Sequence, residues 1–173
     1  MKIGLTGTMS VGKTTLVKAL SEIEQFKGYT CTTERSQYLN SLGIPLNHAT
    51  TIEGQTIFLA ERVTELMQDC LITDRTIIDV MAFTNCAKRV SYIDGDAFAD
   101  YASRFVKQYD YIFYISPEGI DVEDNGVRET DTTYRAEIDN EIKKLLNKYR
   151  PIYFELKGTT NERINQMMNI IQF

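Results

Sequence analysis

The chain has no tryptophan, one histidine (His48) and three cysteines, spread out as Cys31, Cys70 and Cys86. With no CxxC pair and a single imidazole, neither a zinc centre nor a disulfide framework is expected. Each cysteine reads as a small, partly buried side chain in a reducing compartment. His48 sits in the loop-like run Pro45-Leu46-Asn47-His48-Ala49 and is not assigned a catalytic role. No stretch rich in proline, glycine and serine interrupts the 173 residues, so one compact domain over 1–173 is expected, long enough for a full hydrophobic core. The apolar runs are far shorter than a membrane span, and Met1-Lys2-Ile3 leads into a strand-like run with no signal-peptide pattern. A cytoplasmic protein with no membrane partner is therefore expected. Positive charge is in deficit: 19 Lys and Arg against 24 Asp and Glu give a net charge of −5 and no basic tail. That balance, with a pI near 5.0, disfavours broad binding to nucleic acid.

Against these absences stands one specific motif. Gly7-Thr8-Met9-Ser10-Val11-Gly12-Lys13-Thr14 fits G-x-x-x-x-G-K-[ST] at every specified position and follows the apolar run Ile3-Gly4-Leu5. The two glycines let the backbone bend so that successive N–H groups face an anion. Lys13 supplies a cation for the β- and γ-phosphates, and the Thr14 hydroxyl is placed for Mg²⁺. Beyond it, Leu16, Ala19, Leu20 and Ile23 recur at helical spacing through Thr14 to Phe26, so the loop opens onto a helix N-terminus that favours negative charge. Gly7 to Thr14, with Thr15, are thus the expected nucleotide-binding residues.

Strand-like runs lie at Lys2 to Thr6, Tyr29 to Thr33, Cys70 to Thr73, Tyr111 to Ile115 and Ile152 to Leu156. They are short and mostly apolar, as buried parallel strands are. Between them, Ile52, Thr56, Leu59, Val63 and Leu66 share one helical face; Phe98, Tyr101, Ala102, Phe105 and Tyr109 share another. Tyr134 to Tyr149 forms a third helix, stopped by Pro151, and Ile164 to Ile171 a terminal one begun by Thr159 or Thr160. This alternation predicts a three-layer α/β/α domain around a five-stranded, mainly parallel sheet. Its ligand crevice should lie beyond the carboxyl ends of the strands.

That rule selects the polar residues just after each strand. Glu34, behind the second strand, is a candidate base for an acceptor hydroxyl, with Arg35 beside it; the alternative is an acidic residue opening a short helix from Ser36 to Leu42. Asp74 and Arg75 end the third, with Asp74 a candidate for the Mg²⁺ shell or a substrate hydroxyl and Arg75 for a phosphate. The alternative is a helix cap at Asp74 and a surface ion pair. Asp79 reads equally as a substrate contact or a solvent-facing residue. After the fourth strand a polar run from Glu118 to Thr133 carries Arg128, with Arg135 just beyond. Together they suggest a lid over about 118–135 whose arginines close on the transferred phosphoryl group, or else a solvated acidic loop.

In its order of motifs the chain resembles the nucleoside and nucleotide kinase group of phosphate-loop proteins. It is similar to thymidylate kinases and deoxynucleoside kinases broadly, and to nicotinamide riboside kinase-like ATPase domains more closely. The resemblance implies that Glu34 acts as base and that Asp74 and Arg75 contact substrate and phosphate. It also implies that Lys157-Gly158-Thr159 lies where the family often places its base-binding loop. The chain departs from that group in lacking tryptophan, a fused adenylyltransferase domain and a clear adenine-binding motif. The function expected is transfer of the γ-phosphoryl group of ATP, with Mg²⁺, to a small nucleoside, nucleotide or ribosyl compound. A hydroxyl on nucleic acid is a less favoured acceptor. The alternative class is a nucleotide-dependent switch, although the guanine-reading Asn-Lys-x-Asp segment of GTPases is absent.

Overall fold

The computed structural model describes residues 1–33, 35–119 and 131–172. Five strands, β1 (Lys2–Thr6), β2 (Thr30–Thr32), β3 (Leu71–Asp74), β4 (Tyr111–Ile115) and β5 (Tyr153–Leu156), form one sheet in the order β2-β3-β1-β4-β5. Every pairing is parallel, with Leu5 opposite both Asp74 and Phe113. The order reverses at β1, which places the crevice at the end of that strand, where the glycine loop begins.

Among the described residues, seven α-helices accompany the strands: α1 (Lys13–Ser21), α2 (Ser36–Ser41), α3 (Ile52–Glu65), α4 (Ile77–Asn85), α5 (Tyr92–Val106), α6 (Thr132–Tyr149) and α7 (Thr160–Ile170). The period-two alternation of the strands sorts them into two layers. Ile3, Leu5, Ile72, Phe113 and Ile115 point to a core shared with Leu16, Val17 and Leu20 of α1 and Met167 of α7. Leu71, Ile112 and Tyr114 point to the opposite core, built with α3, α4, α5 and α6. Gly4 faces this second layer, where a Cβ would lie 3.0 Å from the Tyr109 ring and collide with the Thr76 methyl, so only glycine admits both.

The expected strands are all present, β1 and β4 with the expected ends and the others with ends displaced by one residue. The helix expected over Thr14 to Phe26 stops at Ser21, and a separate 3₁₀ turn covers Glu24–Phe26. Helix α4 is one that periodicity does not reveal. Ile77, Ile78, Val80, Met81 and Ala82 are all buried because neighbours surround the helix, so it shows no polar stripe. The last two helices begin and end by local chemistry. Asp131 caps α6, which closes with Arg150 in a left-handed turn before Pro151; a reciprocal Thr159–Glu162 capping box starts α7. No helix among the described residues is long and apolar enough to cross a membrane.

Candidate active site

Between β1 and α1 the chain turns through three left-handed residues, Gly7 (φ 151), Ser10 (φ 59) and Gly12 (φ 84). At Gly7 a Cβ would come within 2.7 Å of the Ile115 carbonyl oxygen, so that position requires glycine for space as well as for φ. Val11 and Met9 are buried in the two cores and anchor the loop; Thr8, also buried, donates its hydroxyl to the Arg135 carbonyl at 3.0 Å. These side chains face the protein, and Thr15 is exposed on the first turn of α1. What the loop presents to a ligand is therefore its backbone, Lys13 and Thr14.

Lys13 is only 5% exposed, and its Nζ donates to the carbonyl oxygens of Gly7 at 2.8 Å and Thr8 at 2.7 Å. The ammonium is thus held over the concavity where an anion would sit. The Thr14 hydroxyl donates to Oδ2 of Asp74, which is 1% exposed at the end of β3. The other oxygen of that carboxylate, Oδ1, is buried and has no hydrogen-bond partner among the described residues. A buried carboxylate oxygen without a donor needs a cation or a proton, because its desolvation is otherwise uncompensated. One hydroxyl and one carboxylate beside a phosphate cradle fit Mg²⁺, which takes few protein ligands and completes its octahedron with phosphate and water.

Arg75, the next residue, has φ 79, an unusual conformation for an arginine. The turn is held by its own N–H, which donates to the Leu5 carbonyl at 2.9 Å. Its guanidinium lies 4.8 Å from the centre of the Phe83 ring and 3.9 Å from Asp79 Oδ1. The strained turn at the end of β3 sets the guanidinium between the Phe83 ring and the Asp79 carboxylate, which also holds the Gly7 amide of the phosphate loop.

The structure corrects two of the readings left open above. The cap of α4 is Thr76 and not Asp74, and Asp79 does not face solvent: it is fully buried. Its Oδ2 accepts from the Thr76 N–H at 2.7 Å and hydroxyl at 3.0 Å, closing a capping box, while Oδ1 accepts from the Gly7 N–H at 3.2 Å. Asp79 therefore ties the first residue of the phosphate loop to the cap of α4. The sequence signal was present in Thr76-Ile77-Ile78-Asp79, a capping-box spacing.

Two further arginines went unrecognised. Arg62 of α3, 3% exposed, donates to the Asp74 carbonyl at 2.8 Å and pairs with Glu65 at 2.8 Å; Glu65 in turn accepts from Thr73 Oγ1 at 2.8 Å. Burial raises the pKa of Glu65, while Arg62 and the Thr73 hydroxyl pull it down. This network fixes the end of β3 from beneath. Arg163 of α7 donates to the Val11 carbonyl at 2.8 Å. No short-range pattern could have pointed to the site contacts of either, since the carbonyls they reach, Asp74 for Arg62 and Val11 for Arg163, lie 12 and 152 residues away.

Arg135, at the start of α6, donates from Nε to the Met9 carbonyl at 3.2 Å, so the structure brings it to the phosphate loop. Arg35 pairs with Glu61 of α3 at 3.3 Å and stacks on Tyr38. Lys157 is exposed and pairs with Glu118 at 3.3 Å and Glu155 at 3.5 Å. Glu34, Arg128 and the greater part of the expected lid, residues 120–130, lie outside the described residues.

A family model described as an AAA domain matches residues 2–163. No curated protein sequence matches the chain. Among solved structures, a deoxyadenosine kinase from M. mycoides, with products dCMP and a flexible dCDP bound, is similar at 18% identity and a TM-score of 0.65 over 98% of both chains. A thymidylate kinase from Ehrlichia chaffeensis is similar at 16% identity and a TM-score of 0.66, over 99% of this chain and 98% of that one. The NadR protein in complex with NR is similar at 14% identity and a TM-score of 0.76, over 97% of this chain and 50% of that one, so this chain spans half of its length. At such identities the likeness is one of fold.

Proposed function

We propose that this chain, which belongs to the AAA domain family, is a small-molecule kinase that moves the γ-phosphoryl group of ATP to a hydroxyl or phosphate of a nucleoside, nucleotide or ribosyl compound. The observation that carries the reading is the convergence on one crevice of the buried Lys13 ammonium, the Thr14–Asp74 pair with its orphaned Oδ1, and Arg75 in a strained turn. Solved structures of similar fold include a deoxyadenosine kinase and a thymidylate kinase, which supports the acceptor class. A single domain working in the cytoplasm completes the reading.

In this proposal the amides of the loop and Lys13 bind the β- and γ-phosphates. Thr14 and Asp74 would hold Mg²⁺, which when bound neutralises charge on the β- and γ-oxygens. Arg75 orients the acceptor or its phosphate. Glu34 accepts the proton of an acceptor hydroxyl as its oxygen bonds to the γ-phosphorus, the bond to the β-bridging oxygen breaks and ADP departs with the electron pair. Arg128 and Arg135 neutralise the charge that develops on the phosphoryl oxygens and close the segment about 118–135 over it.

Screening nucleosides, nucleotides and ribosyl compounds for acceptor-stimulated ADP formation tests the proposal. One or a few acceptors should raise turnover well above the ATPase background. Slow hydrolysis that no acceptor stimulates would instead indicate a nucleotide-dependent switch.

A further inference from the structure

Arg163 is a buried cation with no paired carboxylate among the described residues. It is 5% exposed; its Nη1 reaches the Val11 carbonyl, and its Nε is buried with no hydrogen-bond partner among the described residues. Burial alone lowers its pKa, with no carboxylate acting against the shift. A guanidinium stays protonated in proteins, so the charge persists in a place where it is costly. Arg62, equally buried, has Glu65 at 2.8 Å.

The position of this charge is informative. Arg163 reaches the carbonyl of the residue before Gly12, and a Cβ on Gly12 would lie 3.2 Å from the same Nη1. In a trans peptide the C=O of one residue and the N–H of the next point in opposite directions. Holding the Val11 carbonyl on the α7 side therefore turns the Gly12 N–H in the opposite direction, away from α7. Arg135 does the same from α6 for the peptide between Met9 and Ser10. The loop is thus gripped by its carbonyls from two helices that join the fold much later in the chain.

Resting on the kinase reading above, we infer that Arg163 is a positioning residue for polyphosphate. It orients the Gly12 amide toward the anion and adds its own buried positive charge to that of Lys13, so that the phosphates of the bound nucleotide are its ionic partner across the loop. The contribution should grow with the number of phosphates and be indifferent to the base.

Calorimetric titration of the full chain with inorganic tripolyphosphate, Mg·ATP, ADP and adenosine tests this on Arg163→Gln and Arg163→Lys. Gln keeps a donor for the Val11 carbonyl and removes the charge; Lys keeps the charge. Arg163→Gln should bind tripolyphosphate and ATP about tenfold more weakly or worse, ADP less affected and adenosine unchanged, while Arg163→Lys stays within about threefold. A merely structural arginine would lower the unfolding temperature and leave these affinity ratios alone, and that result overturns the inference. If Arg163→Gln does not fold, Arg163→Lys decides by itself: tenfold weaker polyphosphate binding in a folded, charge-retaining variant overturns it. Wild-type protein that binds ATP but phosphorylates no acceptor sinks the kinase reading and leaves this comparison standing.

Discussion

Replacing Asp79 with Asn tests how the crevice is built, because it changes one oxygen and nothing in shape. The carboxylate accepts from three donors, the Thr76 N–H at 2.7 Å, the Thr76 hydroxyl at 3.0 Å and the Gly7 N–H at 3.2 Å, and is fully buried. A carboxamide has one accepting oxygen, so its NH₂ must abut either Gly7 or Thr76, setting donor against donor. An unsatisfied buried N–H costs about 1–3 kcal/mol, and a weakened N-cap adds about 1 kcal/mol. Together that is about 3 kcal/mol, a large part of the ~5–15 kcal/mol that holds a domain folded. At this chain length about 2–4 °C of Tm accompany each kcal/mol, so Asp79→Asn should unfold about 6–12 °C lower by circular dichroism. It should also weaken ATP binding, since the Gly7 peptide loses its anchor. Equal Tm and equal ATP affinity in Asp79→Asn would refute the view that this carboxylate ties the phosphate loop to α4.

Lys13→Ala should abolish turnover and weaken nucleotide binding, with a modest fall in Tm because Nζ holds two loop carbonyls; unchanged turnover would remove the phosphate-loop assignment. Glu34→Gln should keep ATP affinity and slow single-turnover transfer by about 10²-fold or more, whereas a change confined to ATP binding would show another role. Arg135→Ala should lower turnover by about 10²- to 10³-fold with a smaller effect on affinity; full activity would leave Arg135 as a loop brace only. Burial, then the Glu141 and Glu137 carboxylates, push the Cys86 thiol up to about 12, so it should resist a thiol reagent at pH 8 while the exposed Cys70 reacts. The folded state then keeps a proton that the unfolded chain releases near pH 9.0, and stability should fall as pH rises from there toward 12, less steeply in Cys86→Ser.

Much of this protein is written in short-range patterns. Gly7 to Thr14 specify a phosphate cradle because the backbone conformation and cation it needs are supplied by neighbouring residues. The five strands and most helices are legible because burial on one or two faces imposes a period, and Asp74 and Arg75 because a strand end in a parallel sheet faces the crevice. Tertiary structure alone decided what required distant partners. Helix α4 is hidden by being surrounded, so its apolar residues carry no stripe. Asp79 was undecided between solvent and substrate until folding brought the Gly7 amide, 72 residues earlier, against its carboxylate. Arg163 had no visible purpose until α7 packed beside α1 and set its guanidinium on the Val11 carbonyl, 152 residues away. Periodicity records the environment a residue shares with its neighbours. A buried charge is answered by whatever the fold brings to it, and that partner is not marked in its own stretch of sequence.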